Sequence, residues 1–396
     1  MGMSTYTAIF RRAEFRNLWI SSALSNAAAT MTSLTLAIVV NERTGSALLS
    51  AAIMFGPSLA QVVGASTLMS AADTARPRRV LVLLAILSTC AVAVQAMFDL
   101  APAVRLLLTL AVAYGLSIGA GVRWGLLNEV VDRDQFVLGR SAMNLSVGAM
   151  QIAGFGAAGL LLQVFDPAEV FWLATACSAL TIPVLRYGLS NRPPRRVGRT
   201  SLRETWRGNR VLLSQSATRP LLVALCVPNG LIVGCEALFV PYAGTGAGLL
   251  LAAGAAGMMT GDLVVGRFLS RSSRRIASAY LRYLLAVPFL GFAFDLPLGV
   301  LAGLVALACV GYAASLAQQE MLVDATPLEL RGQVLGLESA LRMTTFGVVA
   351  VAAGAVADLA GSRSTITALA ALSLLASAVL TRPLARAARI PAATLA

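Results

Sequence analysis

The chain has 396 residues, of which 58% are hydrophobic and 12% charged, with a formal net charge of +13 and a mean hydropathy of +0.78. A soluble domain carries about 25% charged residues, so this composition excludes an ordinary water-soluble fold and points to lipid as the solvent. All 31 basic residues are arginine and there is no histidine, which removes a Ser-His-Asp triad, His-ligated zinc and a Schiff-base lysine. No enzyme chemistry, cofactor or metal site is expected.

A hydrocarbon core about 30 Å thick is crossed by about 20 apolar residues in a helix, and backbone groups in lipid must bond within their own segment. Twelve stretches meet that condition: 18–40, 47–70, 79–98, 103–127, 141–165, 168–189, 220–243, 247–268, 276–295, 297–321, 334–358 and 363–382. They are numbered spans 1 to 12 below. The first follows Arg11, Arg12 and Arg16 and is too long for the core of a signal peptide, so it reads as a span.

Charges retained near a bilayer centre cost about 2.5–3.5 kcal/mol each and usually face a cavity or a partner. Taken in chain order, the candidate polar residues of the first six spans are Asn26 in span 1, Gln61 in span 2, Tyr114 and Arg123 in span 4 and Gln151 in span 5. Arg123 lies near one end of span 4, where it either snorkels to headgroups, pairs with Glu129 or faces a cavity. Residues 191–218 are the longest polar stretch and open on Pro193-Pro194; they read as a linker, with 202–213 a candidate amphipathic helix at the headgroups. Span 7 holds Pro228, Asn229, Gly230, Gly234 and Glu236. The proline and glycines permit a break in the helix. Asn229 and Glu236 are seven apart and share a face. Two readings stay open: a substrate or proton site, or a kinked helix whose Glu236 meets water of the outer leaflet. Asp262 in span 8 lies a turn from Arg267 and reads as a gate salt bridge or a proton carrier. Glu338 and Arg342 in span 11 are four apart and can pair, as a gate or merely to lower their insertion cost. The five cysteines (Cys90, Cys177, Cys226, Cys235, Cys309) read as small buried hydrophobes without disulfides.

With residue 1 in the cytoplasm, 26 arginines fall on the cytoplasmic side, while Arg43, Arg105 and Arg363 fall outside. This is the positive-inside asymmetry. The positive charge therefore sets topology and does not imply nucleic acid. It places both termini in the cytoplasm of a multi-pass protein, and the Lys-free, Ala-rich usage suggests a bacterial inner membrane.

The two halves echo each other. Asp73-Thr-Ala-Arg76-Pro77-Arg78 aligns with Ser270 to Arg275 at an offset of 197, and Ala158–Gln163 with Ala353–Asp358 at 195. Internal duplication of this size is a repeat signature of secondary transporters.

On these residues the chain resembles the major facilitator superfamily over essentially its whole length. Phe15-Arg16-Asn17-Leu18-Trp19 is similar to the signature before span 1 in drug-efflux branches, and Pro327 to Gly336 is similar to the family's loop into span 11. The loop after span 2 resembles the gating motif G-x-L-x-D-R-x-G-R-R, keeping Asp73, Arg78 and Arg79 but with Met69 and Thr74 replacing the Gly and first Arg. The second copy keeps Gly266, Arg271 and Arg275, with Ser270 where the acid would stand. Span 5 resembles the antiporter motif with Phe155 for its proline, and the span 4 arginine of proton-coupled drug exporters is replaced by Ala111.

The resemblance implies an all-α membrane protein with twelve transmembrane helices in two pseudo-symmetric six-helix bundles, residues 1–190 and 219–396, joined by the linker 191–218. It implies a monomeric secondary transporter in the lipid bilayer that exports a drug-like or secondary-metabolite small molecule by alternating access, with protons as the counter-substrate. Glu236, Asn229, Asp262, Asn26, Arg123, Tyr114 and Gln151 are the expected substrate or proton residues. Asp73, Arg78, Arg79, Arg267, Arg271, Glu338 and Arg342 are the expected gating residues. A metabolite importer, or a transporter-fold sensor that moves nothing, remains an alternative.

Overall fold

The computed structural model describes residues 6–74, 76–132, 135–193, 209–215, 218–327 and 330–387. Among the described residues there is no strand. Eleven helical stretches among those residues are long and apolar enough to cross a membrane. One of them, Thr218–Phe268, is 51 residues long, more than twice the length one crossing needs. It bends at Gly244, whose φ of 56° suits a residue without Cβ. Counted as one or as two, it gives eleven or twelve crossings.

The helices overshoot the apolar runs: span 1, Ala13–Thr44, span 4, Pro102–Val130, and span 11, Arg331–Ala360, do so at both ends, and span 2, Ala47–Thr74, at its far end. Apolar length sets what must lie in hydrocarbon, whereas hydrogen bonding carries the helix on into the headgroups. Local sequence sets the ends. Prolines occupy the first turn of spans 3 (Pro77–Met97), 4 and 6 (Pro167–Gly188), where the missing N–H costs nothing. Gly45, with φ 63°, closes span 1.

Span 7 corrects one expectation. Its helix, Thr218–Ala237, runs unbroken through Pro228, Gly230 and Gly234, and the interruption comes at Leu238, just before Phe239–Ala243. Side chains serve the backbone around the proline: Asn229 Nδ2 donates to the Leu225 carbonyl (3.0 Å) and Ser373 Oγ to the Pro228 carbonyl (3.0 Å). The two glycines serve packing. A Cβ on Gly230 would strike Thr345, and one on Gly234 would crowd Val349 and Leu369.

Spans 9 and 10 are interrupted by 3₁₀ turns. Arg271–Ala286 passes into Val287–Ala293 at Pro288, and Leu298–Val310 joins Ala314–Asp324 through Gly311–Ala313. Gly311 lies so close to the backbone of Leu281 and Leu285 that no side chain fits.

The chain divides into two units. One holds the described residues of Met1–Gly45, Ala60–Arg199 and Thr245–Ala252; the other holds those of Ser46–Leu59, Thr200–Gly244 and Ala253–Ala396. In the first, span 1 packs on spans 5 (Phe136–Leu161) and 6, and span 3 packs on spans 4 and 6. In the second, span 7 packs on spans 11 and 12 (Ser362–Ala387), and span 9 packs on spans 10 and 12. Each pairing in the first unit thus recurs in the second, six spans later. The first core gathers Phe15, Leu18, Leu81, Leu126, Met143 and Leu185, and the second gathers Leu221, Leu225, Leu322 and Val334 around Leu212. Residues 209–214 are helical, and the rest of the candidate amphipathic helix, 202–208, lies outside the described residues.

The cysteines divide as well. Cys226, Cys235 and Cys309 are buried in the second unit, as expected, but Cys90 is exposed and Cys177 half-buried in the first. In lipid an exposed apolar face is normal, so apolar surroundings in sequence do not imply burial in protein.

Candidate functional site

Glu236 stands on span 7, two residues before the helix is interrupted at Leu238. Its carboxylate accepts a hydrogen bond from Tyr312 Oη (3.1 Å) and a longer one from the Cys309 thiol (3.6 Å). Both donors lie on span 10, where the 3₁₀ turn Gly311–Ala313 presents Tyr312. Seven residues back, buried Asn229 meets Ser315 Oγ (3.1 Å), also on span 10. The shared face of Asn229 and Glu236 is therefore lined by Cys309, Tyr312 and Ser315, three residues apart in each step. Among the described residues no arginine pairs with Glu236. A carboxylate held by neutral donors keeps its charge uncompensated in a largely apolar setting, so uptake of a proton or a cation removes a penalty. Tyr312 and Ser315 do not figure among the residues singled out in the sequence, and Cys309 does so only as a small buried hydrophobe; their three-residue period in span 10 was the available signal.

Glu338 and Arg342 form the expected pair at 2.9 Å, with Glu338 buried at 2% exposure. Gln319 Nε2 adds a third contact at 3.3 Å, and the Arg342 guanidinium stacks over Phe346. This pair is already neutral overall, so its chemistry differs from that of Glu236.

The gating candidates fall in different settings. The side chain of Asp73 lies outside the described residues. Arg78 donates to the Leu189 carbonyl (3.2 Å), and Arg79 is exposed. Arg271 and Arg275 both bind Asp324 at 2.7 Å, and Arg274 binds Glu320 at 3.0 Å. The acid missing at Ser270 is thus supplied from span 10, some 50 residues on. Ser270 instead caps the span 9 helix, accepting from the Ser273 amide. Arg267 and Asp262 are both exposed, and neither makes an ion pair among the described residues. The expected Asp262 gate bridge is not formed, because Asp262 and Arg267 lie five apart and occupy different faces of the helix.

In the first unit, Asn26 turns back on its own helix and donates to the Ser22 carbonyl (2.7 Å). Tyr114 shares a hydrogen bond with Thr67 (2.9 Å). Gln151 is half-buried and Arg123 is half-buried with its Nε unpartnered among the described residues. Glu129 does not pair with Arg123; Arg192 from beyond span 6 reaches it at 3.4 Å while also holding Glu14 at 2.6 Å. A cavity of about 420 Å³ by the start of span 4, lined by Glu42, Arg43, Arg105 and Asp166, contains none of the predicted substrate residues.

Two arginines carry more than their sequence positions suggest. Arg282, assigned to the cytoplasmic side, sits well inside the span 9 helix at 3% exposure. Arg105, assigned outside, is buried at 4% and holds the carbonyls of Gln95, Phe98 and Leu100.

No protein-family model and no curated protein sequence matches the chain. Solved structures do. A POT family transporter in complex with 5-aminolevulinic acid matches at a TM-score of 0.71 and 9% identity, over 94% of this chain and 96% of that one. The chain shares its fold with that transporter. A POT family transporter in complex with a thioalcohol-conjugated peptide aligns over the same shares at 0.69 and 9% identity. A bacterial homologue of the human lysosomal transporter Spinster, inward-facing and unoccupied, aligns at 0.62 and 14% identity, over 96% and 95%. At these identities the likeness establishes the fold.

Proposed function

We propose that the chain is a monomeric, proton-coupled secondary transporter of a small organic molecule, working by alternating access between two six-span halves, residues 1–190 and 219–396. Both termini are cytoplasmic in this reading, and the membrane is a bacterial inner membrane. The observation that carries the coupling is Glu236: a carboxylate inside a span, hydrogen-bonded by Tyr312 and Cys309, with no arginine beside it among the described residues. Asn229 and Ser315 extend the same face with neutral donors and acceptors, which suits a moderately apolar substrate better than a phosphorylated one. Export is the direction favoured, on the resemblance of Phe15 to Trp19 to the efflux-branch signature. Asp73, Arg78 and Arg79 on one side, and Arg267 and Arg271 on the other, are assigned to the cytoplasmic gate.

The test is drug tolerance and dye efflux in a bacterial host lacking its own pumps, with and without an uncoupler. Wild-type efflux is expected to collapse with the uncoupler, and Glu236→Gln is expected to abolish net efflux while leaving the protein folded. Efflux that ignores the uncoupler, or an active Glu236→Gln variant, refutes the coupling. Uptake driven in vesicles by an imposed pH gradient would reverse the direction.

A further inference from the structure

The first unit carries a second polar feature, unrelated to Glu236. Where span 3 begins and span 6 ends, Arg78, Arg79 and Arg186 line a cavity of about 210 Å³ whose remaining wall is Val82 and Leu83. No carboxylate among the described residues pairs with any of the three. Arg78 Nε is buried without a hydrogen-bond partner among those residues. The span 3 helix starts at Pro77 with no side-chain cap, so the positive end of its dipole lies at the same place. Below the arginines the surface is greasy: Leu83 is 64% exposed, and Tyr187, beside Arg186, 86%. Three cations with no carboxylate partner among the described residues, above an apolar wall at the end of a membrane span, match one kind of molecule, with a phosphate at one end and acyl chains at the other.

We propose that this cavity binds the phosphodiester of an anionic phospholipid, with Arg78, Arg79 and Arg186 on the phosphate oxygens and Val82 and Leu83 against the first carbons of an acyl chain. Arginine's planar fork suits phosphate oxygens, and basic pockets between spans are a recognised setting for anionic headgroups. Phosphatidylcholine has the same phosphate but adds a cation that three arginines repel, so the site selects by charge.

The test is native mass spectrometry of the full chain released from neutral detergent micelles doped with phosphatidylglycerol or phosphatidylcholine. Retention of phosphatidylglycerol over phosphatidylcholine is expected. An arginine near a membrane surface is worth about 1 kcal/mol toward an anionic lipid, or about fivefold. Arg186→Gln should therefore weaken retention about fivefold, and the triple glutamine variant about a hundredfold. Arg186 is exposed and makes no hydrogen bond or ion pair among the described residues, so the single variant decides the matter even if the triple variant misfolds. Arg219→Gln, an exposed arginine of the second unit, should change nothing. Equal retention of both lipids, or unchanged retention in Arg186→Gln, overturns the proposal. Displacement of the lipid by millimolar inorganic phosphate would reassign the cavity to a soluble anion and also overturn it.

Discussion

Replacing Arg342 by alanine leaves the Glu338 carboxylate, 3% exposed on its side chain, with only the Gln319 amide at 3.3 Å. Breaking a buried ion pair from one side costs about 3–5 kcal/mol, because an uncompensated charge stays behind. Glu338→Gln is not the mirror image. The Arg342 side chain is 26% exposed and stacks on Phe346, so it keeps partial solvation and a π-face; about 1 kcal/mol is expected. The double variant Glu338→Gln/Arg342→Gln removes both charges and should lie near wild type, within about 1 kcal/mol. At about 2–4 °C per kcal/mol for a unit of some 200 residues, Arg342→Ala should lower the unfolding midpoint by about 10 °C. Cys226, Cys235 and Cys309 are buried in the same unit, so in a Cys90→Ala/Cys177→Ala background a thiol-reactive dye that fluoresces on coupling reads this transition. The required order is Arg342→Ala far below Glu338→Gln, with the double variant highest of the three. Equal single variants, or a double variant as weak as Arg342→Ala, would refute the assignment of the cost to a stranded carboxylate.

Three further outcomes follow from the geometry. Asp324→Asn releases Arg271 and Arg275, but these groups are 35–59% exposed, so thermal stability should move by less than about 1 kcal/mol; a gating role would appear instead as altered transport in the same variant. Arg105→Ala strips donors from the Gln95, Phe98 and Leu100 carbonyls at 4% exposure, and a loss of about 3 kcal/mol or more is expected in thermal unfolding. Gly257→Leu would push a Cβ into the backbone of Ala306; overpacking of about 1–3 kcal/mol should appear as reduced yield of folded protein in size-exclusion chromatography, while Gly303→Leu, with open space around it, should be neutral.

The helical class was legible because lipid imposes it: a long apolar run has no other way to satisfy its backbone. The Glu338–Arg342 pair was legible because both ends sit on one helix, four residues apart. Partners across helices were not. Nothing near Ser270 announces Asp324, and nothing near Glu236 announces Tyr312, because each contact depends on how spans 9 or 7 lie against span 10. The burial of Arg282 was illegible for another reason. Counting arginines by segment treats each as a loop charge, and only packing reveals that this one points into protein. Pro228 misled in the opposite direction, since side chains on its own and a neighbouring helix keep the span continuous through it.

The placement of the chromophores has a practical use. Trp19, Trp124 and Trp172, the tryptophans among the described residues, all belong to the first unit, while the three shielded thiols belong to the second. Three of the four indoles and the three shielded thiols therefore report on opposite portions of one polypeptide. Heating a single sample while recording both signals would reveal whether the portions melt together or in sequence, with no label introduced by mutagenesis.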